Sequence, residues 1–173
     1  MGPGVAESHA FRPTAQGVRQ MSEPWGRSEP PESGAHRCAV WHGEPATEAE
    51  LSAQRAQLRG ALADGALPSD DDDIERVLLV FGELGSNGLR HGRPPVHVTV
   101  TATSMGWVLA VSDAAADHPP TPAVDRDPAE GGLGLFIVAR LCTAYGWDAR
   151  EGRKTVWGRI DSVLTRAAPS SAA

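Results

Sequence analysis

Apolar residues recur at intervals of three and four along the chain, a spacing typical of helices with one buried face. The first such stretch begins after Thr47, a residue suited to cap a helix, and ends at Gly65. The second covers residues 71–91. Its apolar stripe consists of Ile74, Val77, Leu78, Phe81 and Leu84. A shorter apolar run over residues 135–144 follows a group of glycines, so the pattern predicts three helices.

Alternation with a period of two predicts strands between and after these helices. Residues 96–101 alternate apolar and polar side chains, and residues 107–111 form a second, more apolar strand beyond a turn at 104–106. Shorter strand patterns occupy residues 36–41, 147–150 and 155–160. Residues 114–131 are rich in Ala, Pro and Asp and show no period, which predicts a long loop of the kind that often acts as a lid.

Composition divides the chain into three parts. Residues 1–35 are rich in Pro, Gly, Ser and Glu and have few large aliphatic side chains, which predicts a disordered N-terminal extension. Residues 36–162 carry the helix and strand patterns and are expected to form one domain. The small residues of 163–173 predict a flexible C-terminal tail.

The charge and the cysteines narrow the function classes. The 173 residues carry a formal net charge of -6 with scattered basic residues, which argues against a nucleic-acid partner. No apolar stretch approaches the roughly 20 residues of a membrane-spanning helix, and the N-terminus lacks the apolar core of a signal peptide. We therefore expect a cytoplasmic protein. Cys38 and Cys142 are expected to be buried, reduced thiols rather than zinc ligands.

Glu83 and Asn87 are four residues apart on the second helix, so they lie only about 40° apart around its axis. A carboxylate and an amide side by side suit Mg²⁺ coordination, the orientation of water, or a solvated helix face. Gly85 and Gly88 stand beside them. Since glycine weakens a helix by about 0.5–1 kcal/mol, the two glycines indicate close packing or the close approach of a ligand.

Two further features carry candidate chemistry. Asp113 ends an apolar strand, where its carboxylate can accept a hydrogen bond from a ligand amine or simply initiate a turn. Glycines at 131, 132 and 134 precede the third helix, an arrangement that lets backbone N–H groups approach a phosphate, or that forms an ordinary flexible junction. The chain has neither the Gly-Lys-Ser/Thr of a P-loop nor a glycine fingerprint within a βαβ unit.

The order and spacing of these features resemble the GHKL superfamily of ATPases, over residues 36–161. Residues 83–92 (ELGSNGLRHG) look like the N box, residues 111–113 like the start of the G1 box, and residues 132–135 (GLGL) like the G2 box. Residues 154–157 (KTVW) look like the final strand of the nucleotide pocket. The resemblance implies an α/β fold, an α+β two-layer sandwich in which a Bergerat-type mixed β-sheet is covered on one face by three helices.

The resemblance also implies a role for each matching residue, with ATP and Mg²⁺ as cofactors. Asn87 would bind the Mg²⁺ that bridges the phosphates, Glu83 would act as the general base, and Asp113 would recognise the adenine amine. The remaining expected nucleotide contacts are His91, Gly132, Leu133, Gly134 and Thr155, of which Thr155 would support the adenine through water and His91 would cap the helix or contact the phosphates.

Within the superfamily, the short length and the absence of a phosphoacceptor helix resemble the bacterial anti-sigma-factor serine kinases. This resemblance implies a regulator that phosphorylates a serine of an STAS-type anti-anti-sigma partner and sequesters a sigma factor. It leaves open whether the chain forms a homodimer. Residues 113–117 (DAAAD) lack both glycines of the family pattern Asp-x-Gly-x-Gly. The alternatives are therefore a catalytically weak or inactive ATP-binding module and, third, a detached histidine-kinase catalytic domain.

Overall fold

The computed structural model describes residues 25–31, 38–65, 69–121 and 133–162, which form a five-stranded sheet with three helices. The strands are β1 (Cys38–Gly43), β2 (His97–Thr103), β3 (Gly106–Asp113), β4 (Ala144–Arg150) and β5 (Arg153–Asp161). The helices are α1 (Glu48–Ala63), α2 (Asp71–His91) and α3 (Gly134–Leu141). The predicted helices and strands are therefore all present. None of the helices in these ranges has both the length and the apolar character needed to cross a membrane.

The sheet order is β1-β2-β3-β5-β4, and all four pairings are antiparallel. Short hairpins join β2 to β3 and β4 to β5, and a hairpin makes its two strands antiparallel. In the second hairpin Glu151 and Gly152 have φ values of 51° and 74°, as a two-residue turn between twisted strands requires. The two-layer α/β arrangement is confirmed. The expected mixed sheet is corrected, because the described strands are antiparallel and only an isolated bridge between Arg27 and Trp147 is parallel.

The helix starts follow from their capping residues. Thr47 Oγ1 accepts a hydrogen bond from the N–H of Glu50 at 3.2 Å, and Asp70 Oδ1 accepts one from the N–H of Asp73 at 2.7 Å. The acidic first turn of α2 also suits the positive end of the helix dipole. Asp70 thus caps α2, and the three aspartates that follow it form the first turn of the helix.

The core lies between the sheet and the buried stripe of α2. Val77, Leu78 and Phe81 are fully buried, and Val98, Leu109 and other sheet residues pack in the same cluster. Burying each such side chain contributes about 1.5–3 kcal/mol.

The glycines of α2 permit close packing. A Cβ on Gly88 would come within 2.8 Å of Val111 Cγ1, and one on Gly85 within 2.5 Å of Leu51 Cδ1. Of the two explanations offered by the sequence, close packing of α2 against β3 and α1 is the one that the structure supports.

Residues 25–31, which we call the edge segment, lie beside β4. Trp25 is only 5% exposed, and its ring centroid is 4.8 Å from that of Tyr145. The N–H of Ser28 donates to the carbonyl of Trp147 at 2.8 Å, and Trp147 Nε1 donates to the carbonyl of Trp25 at 3.0 Å. The prediction that residues 1–35 are disordered is wrong for the edge segment, because a buried indole and strand-like hydrogen bonds hold it against the sheet.

The two cysteines have different surroundings. Cys142 follows α3 and packs against Gly158. A Cβ added to Gly158 would lie 2.6 Å from the Cys142 Sγ. Burial raises the pKa of the Cys142 thiol to about 12. Both cysteines are free, but Cys38 is exposed, so the expectation of two buried thiols is wrong for Cys38, which begins the edge strand β1.

Replacing Trp25 tests whether the edge segment belongs to the folded unit. We expect Trp25→Ala to lower the free energy of unfolding by about 3 kcal/mol, because it removes a buried aromatic side chain and leaves a cavity. Urea denaturation followed by fluorescence measures this. The control is Glu29→Ala in the same segment, whose ion pair with Arg150 has both side chains exposed and should contribute less than about 1 kcal/mol. Equal stability of Trp25→Ala and the wild type would contradict the structural role of this segment.

Candidate functional site

The polar side of α2 faces the beginning of α3. Glu83 and Asn87 are both half-buried, one helical turn apart, and thus are not on a fully solvated helix face. A Cβ on Gly134 would clash with Glu83 Oε2, so the carboxylate lies directly against the first residue of α3. The structure therefore brings together two of the predicted site residues, Glu83 and Gly134, which β2 and β3 separate in the sequence.

The N-terminal end of α3 has no side-chain cap. Leu133 is the N-cap residue, is 36% exposed and makes no capping hydrogen bond through its side chain. The first N–H groups of such a helix carry partial positive charge, and a nearby carboxylate or phosphate is favourable there. The Glu83 carboxylate is placed at this end. Gly132, the other glycine expected here, lies outside the described residues.

Asp113 is buried at the end of β3, and its carboxylate has partners on both oxygens. Oδ1 accepts hydrogen bonds from the N–H of Ala115 at 2.7 Å and of Arg93 at 3.4 Å. Oδ2 lies 3.3 Å from Nζ of Lys154, and the two side chains are 1% and 2% exposed. A Cβ on Gly92 would come within 2.7 Å of Oδ2, so the end of α2 also closes over this carboxylate.

The register of β3 and β5 decides which residue faces Asp113. Asp113 is the Cα partner of Lys154, and Ser112 is the partner of Thr155. Because successive side chains of a strand point to opposite faces, Lys154 shares the helix-covered face with Asp113 and the buried Val156, whereas Thr155 faces the other side. The structure thus does not bring Thr155 to Asp113. The sequence analysis did not identify Lys154 as a site residue. The alternation of buried side chains along β5, which puts Lys154 on the same face as Val156, was the signal that could have identified it.

The segment after Asp113 lacks the two glycines of the family pattern, and its backbone is not strained by their replacement. Ala115 stands at the first glycine position of the family pattern and is 1% exposed. Glu151 is the one non-glycine residue with positive φ in the described part of the chain, so Ala115 does not occupy the left-handed region. Ala115 instead donates its backbone N–H to Asp113 Oδ1.

The rim of the site is polar and exposed. His91 ends α2 and is exposed. Asp117 contacts His118 Nδ1 at 2.9 Å and Arg93 Nη1 at 3.2 Å. The hydrogen bond from His118, with a contribution from Arg93, holds the pKa of the Asp117 carboxyl below its usual range. These charges face water and are strongly screened.

The fold and the site together define an ATPase-type domain: a two-layer α/β structure with a Glu–Asn pair on its central helix, an aspartate at a strand end and a glycine that opens the next helix. The histidine kinase-like ATPase domain family matches residues 45–160 of the chain. The chain belongs to this family.

Among solved structures, the chain is similar to one of the RsbU and RsbW domains of Rv1364c from Mycobacterium tuberculosis. It has 19% sequence identity and a TM-score of 0.49, and the match covers 74% of this chain and 33% of that chain. The chain thus spans about a third of the structure that it matches. A search of curated proteins found no match.

The family implies ATP with Mg²⁺, and the two ends of the site differ in how well they suit this ligand. The phosphate end fits in its chemistry, because Glu83 lies against the glycine that opens α3 and Asn87 follows one turn further along the same helix. No group of three or more His, Cys, Asp or Glu side chains suited to a metal exists among the residues described. Mg²⁺ would therefore take Asn87, phosphate oxygens and water. The adenine end does not fit as it stands, because both oxygens of Asp113 are engaged.

The Asp113–Lys154 pair can be tested by a double-mutant cycle. We expect Asp113→Asn and Lys154→Met each to lower the free energy of unfolding by roughly 3 to 5 kcal/mol, because each leaves one buried charge without its partner. The double variant should lose less than the sum of the two. Chemical denaturation of the four proteins gives these values. Additive losses would show that the two side chains do not interact.

Proposed function

We propose that this chain is an ATP-binding regulatory protein with serine kinase activity, which acts as an anti-sigma factor. The observation that supports this proposal is the contact of the Glu83 carboxylate with Gly134, at the start of α3. It joins the Glu–Asn pair of the N box to the glycine-opened helix of the G2 box, the two parts that would surround a triphosphate. The narrower proposal, a kinase of the anti-sigma type, is supported by the sequence resemblance and not by the structural match.

Each residue of the phosphate end has a proposed role. Asn87 would offer its amide oxygen to Mg²⁺, and Glu83 would accept the proton of a serine hydroxyl or of water. The first turn of α3 would donate backbone hydrogen bonds to phosphate oxygens. Bound MgATP would supply the phosphoryl group. The partners would be a sigma factor and an STAS-type anti-anti-sigma protein that carries the accepting serine.

A second candidate function is a binding module that regulates its partner by contact, with little or no phosphoryl transfer. The observation in its favour is the base end of the site, where Ala115 replaces the expected glycine and Lys154 pairs with Asp113. A ligand whose base is poorly held would position its phosphates less well, and phosphoryl transfer depends on positioning.

Calorimetric titration with MgATP tests the phosphate end. We expect Asn87→Ala to weaken binding by about tenfold or more, equivalent to about 1.4 kcal/mol, because it removes a proposed Mg²⁺ ligand. Omitting Mg²⁺ should weaken the wild type similarly. The control is Ser86→Ala on the adjacent position of α2, whose hydroxyl contacts Glu48 of α1 instead and whose loss should leave the affinity unchanged. Equal affinities for Asn87→Ala and the wild type would contradict the metal role.

Phosphoryl transfer from ATP to a serine-bearing STAS domain distinguishes the two candidate functions. If Glu83 is the general base, Glu83→Gln should slow transfer by about 100-fold or more while MgATP binding remains. The matched control is Glu75→Gln, because Glu75 is exposed on the same helix and pairs with Arg59. Transfer by Glu83→Gln at the wild-type rate would refute the general-base role. ATP binding by the wild type without transfer to any STAS domain would favour the binding module.

A further inference from the structure

We propose that Lys154 is the specificity-determining residue at the base end of the site, and that its ammonium group occupies the position where Asp113 would otherwise receive the adenine amine. The inference rests on the proposed function, because it assumes that a nucleotide binds beside α2. It adds a consequence that the family resemblance does not contain: the wild-type chain holds nucleoside triphosphates by their phosphates, with little preference for adenine.

Asp113 has only one carboxylate oxygen that does not already accept hydrogen bonds from the backbone. A carboxylate can accept several hydrogen bonds, but here Oδ1 already accepts from two backbone N–H groups, including that of Ala115 at 2.7 Å. Oδ2 is the remaining oxygen, and Lys154 Nζ lies 3.3 Å from it. An adenine amine needs the same acceptor. The ammonium group of Lys154 and the amine of adenine therefore compete for one oxygen atom.

Charge decides this competition in favour of Lys154. Lys154 and Asp113 carry opposite charges and attract each other in addition to their hydrogen bond, whereas the adenine amine is neutral and offers a hydrogen bond alone. The pair is also almost fully removed from water, so displacing Lys154 would leave two buried charges to be solvated or paired again. Binding adenine at Asp113 must therefore overcome an interaction stronger than the one it creates.

Packing around the carboxylate leaves little room for both groups. Ala115 is 1% exposed beside Oδ1, where the family pattern has a glycine. On the other side, Gly92 lies so close that a Cβ would come within 2.7 Å of Oδ2. A base that reached Asp113 would have to move Lys154 out of this space, since a bound amine and the ammonium group cannot share the same position.

A comparison of ATP with ITP isolates the contact in question. The two nucleotides have the same phosphates and ribose, but the hypoxanthine of ITP carries a keto oxygen where adenine carries its amine. An oxygen at this position cannot donate to Asp113, whereas the Lys154 ammonium can donate to it. The ratio of the two dissociation constants therefore reports the use of Asp113 as an acceptor for the base, independently of the phosphate contacts.

We would measure both dissociation constants by calorimetry with Mg²⁺ on the full chain. We expect the wild type to bind ATP and ITP within about threefold of each other, and Lys154→Thr to prefer ATP by about tenfold or more. The matched control is Arg159→Thr, which removes a cation from the other face of the same strand, where Arg159 pairs with Asp161, and its ratio should equal that of the wild type.

Lys154→Met, which removes the charge but keeps most of the side-chain volume, separates the two effects of the lysine. An ATP preference in both variants supports displacement of the ammonium group as the cause. The melting temperature of each variant is measured first. If neither variant folds, the wild-type ratio alone decides, because a tenfold preference of the wild type for ATP would overturn the proposal.

The outcomes also separate this proposal from the proposed function. A wild type that prefers ATP tenfold overturns the role of Lys154 and leaves the ATP-binding function intact. A wild type that binds neither nucleotide contradicts the proposed function, whereas ATP binding that appears in Lys154→Thr would still support the role of Lys154. If folded Lys154→Thr binds neither nucleotide, or shows the wild-type ratio, the proposal is wrong.

Discussion

Helix α2 packs against β3, and both the core and the candidate site depend on this contact. Val77, Phe81 and Leu84 bury the apolar face of the helix, and Gly88 allows it to approach Val111 closely. The same approach sets Gly92 over Asp113. Once this face is buried, Glu83 lies against α3, and the helical period places Asn87 on the same side of α2. The packing that stabilises the domain therefore also determines where its polar groups meet.

The two ends of the site differ in their electrostatic balance. At one end the Glu83 carboxylate lies beside the start of α3, where the first N–H groups of the helix carry partial positive charge. At the other end the negative charge of Asp113 is matched by Lys154 inside the protein. In this chain the aspartate expected to recognise the base is thus paired inside the protein, whereas the Glu83 carboxylate at the other end lies beside a helix start. This contrast is the physical basis for weighing a kinase against a binding module.

The edge segment shows how a short stretch can join a domain without a periodic pattern. Trp25 contributes one large buried side chain, and the backbone of Ser28 continues the hydrogen bonding of the sheet beyond β4. Covering this edge leaves β1 as the other outer strand of the sheet. A single tryptophan among Pro, Gly and Ser carries no period of 2 or 3.6, so composition alone indicated disorder.

The sequence by itself determined the features that depend on neighbouring residues. The caps at Thr47 and Asp70, the buried stripe of α2 and the spacing of Glu83 and Asn87 follow from local periodicity and hydrogen bonding, which act within a few positions. Only the tertiary structure decided that Asp113 meets Lys154 rather than Thr155, and that Glu83 meets Gly134. Those contacts depend on strand register and helix packing, and a shift of one residue in β5 would exchange Lys154 for Thr155 at the Asp113 carboxylate.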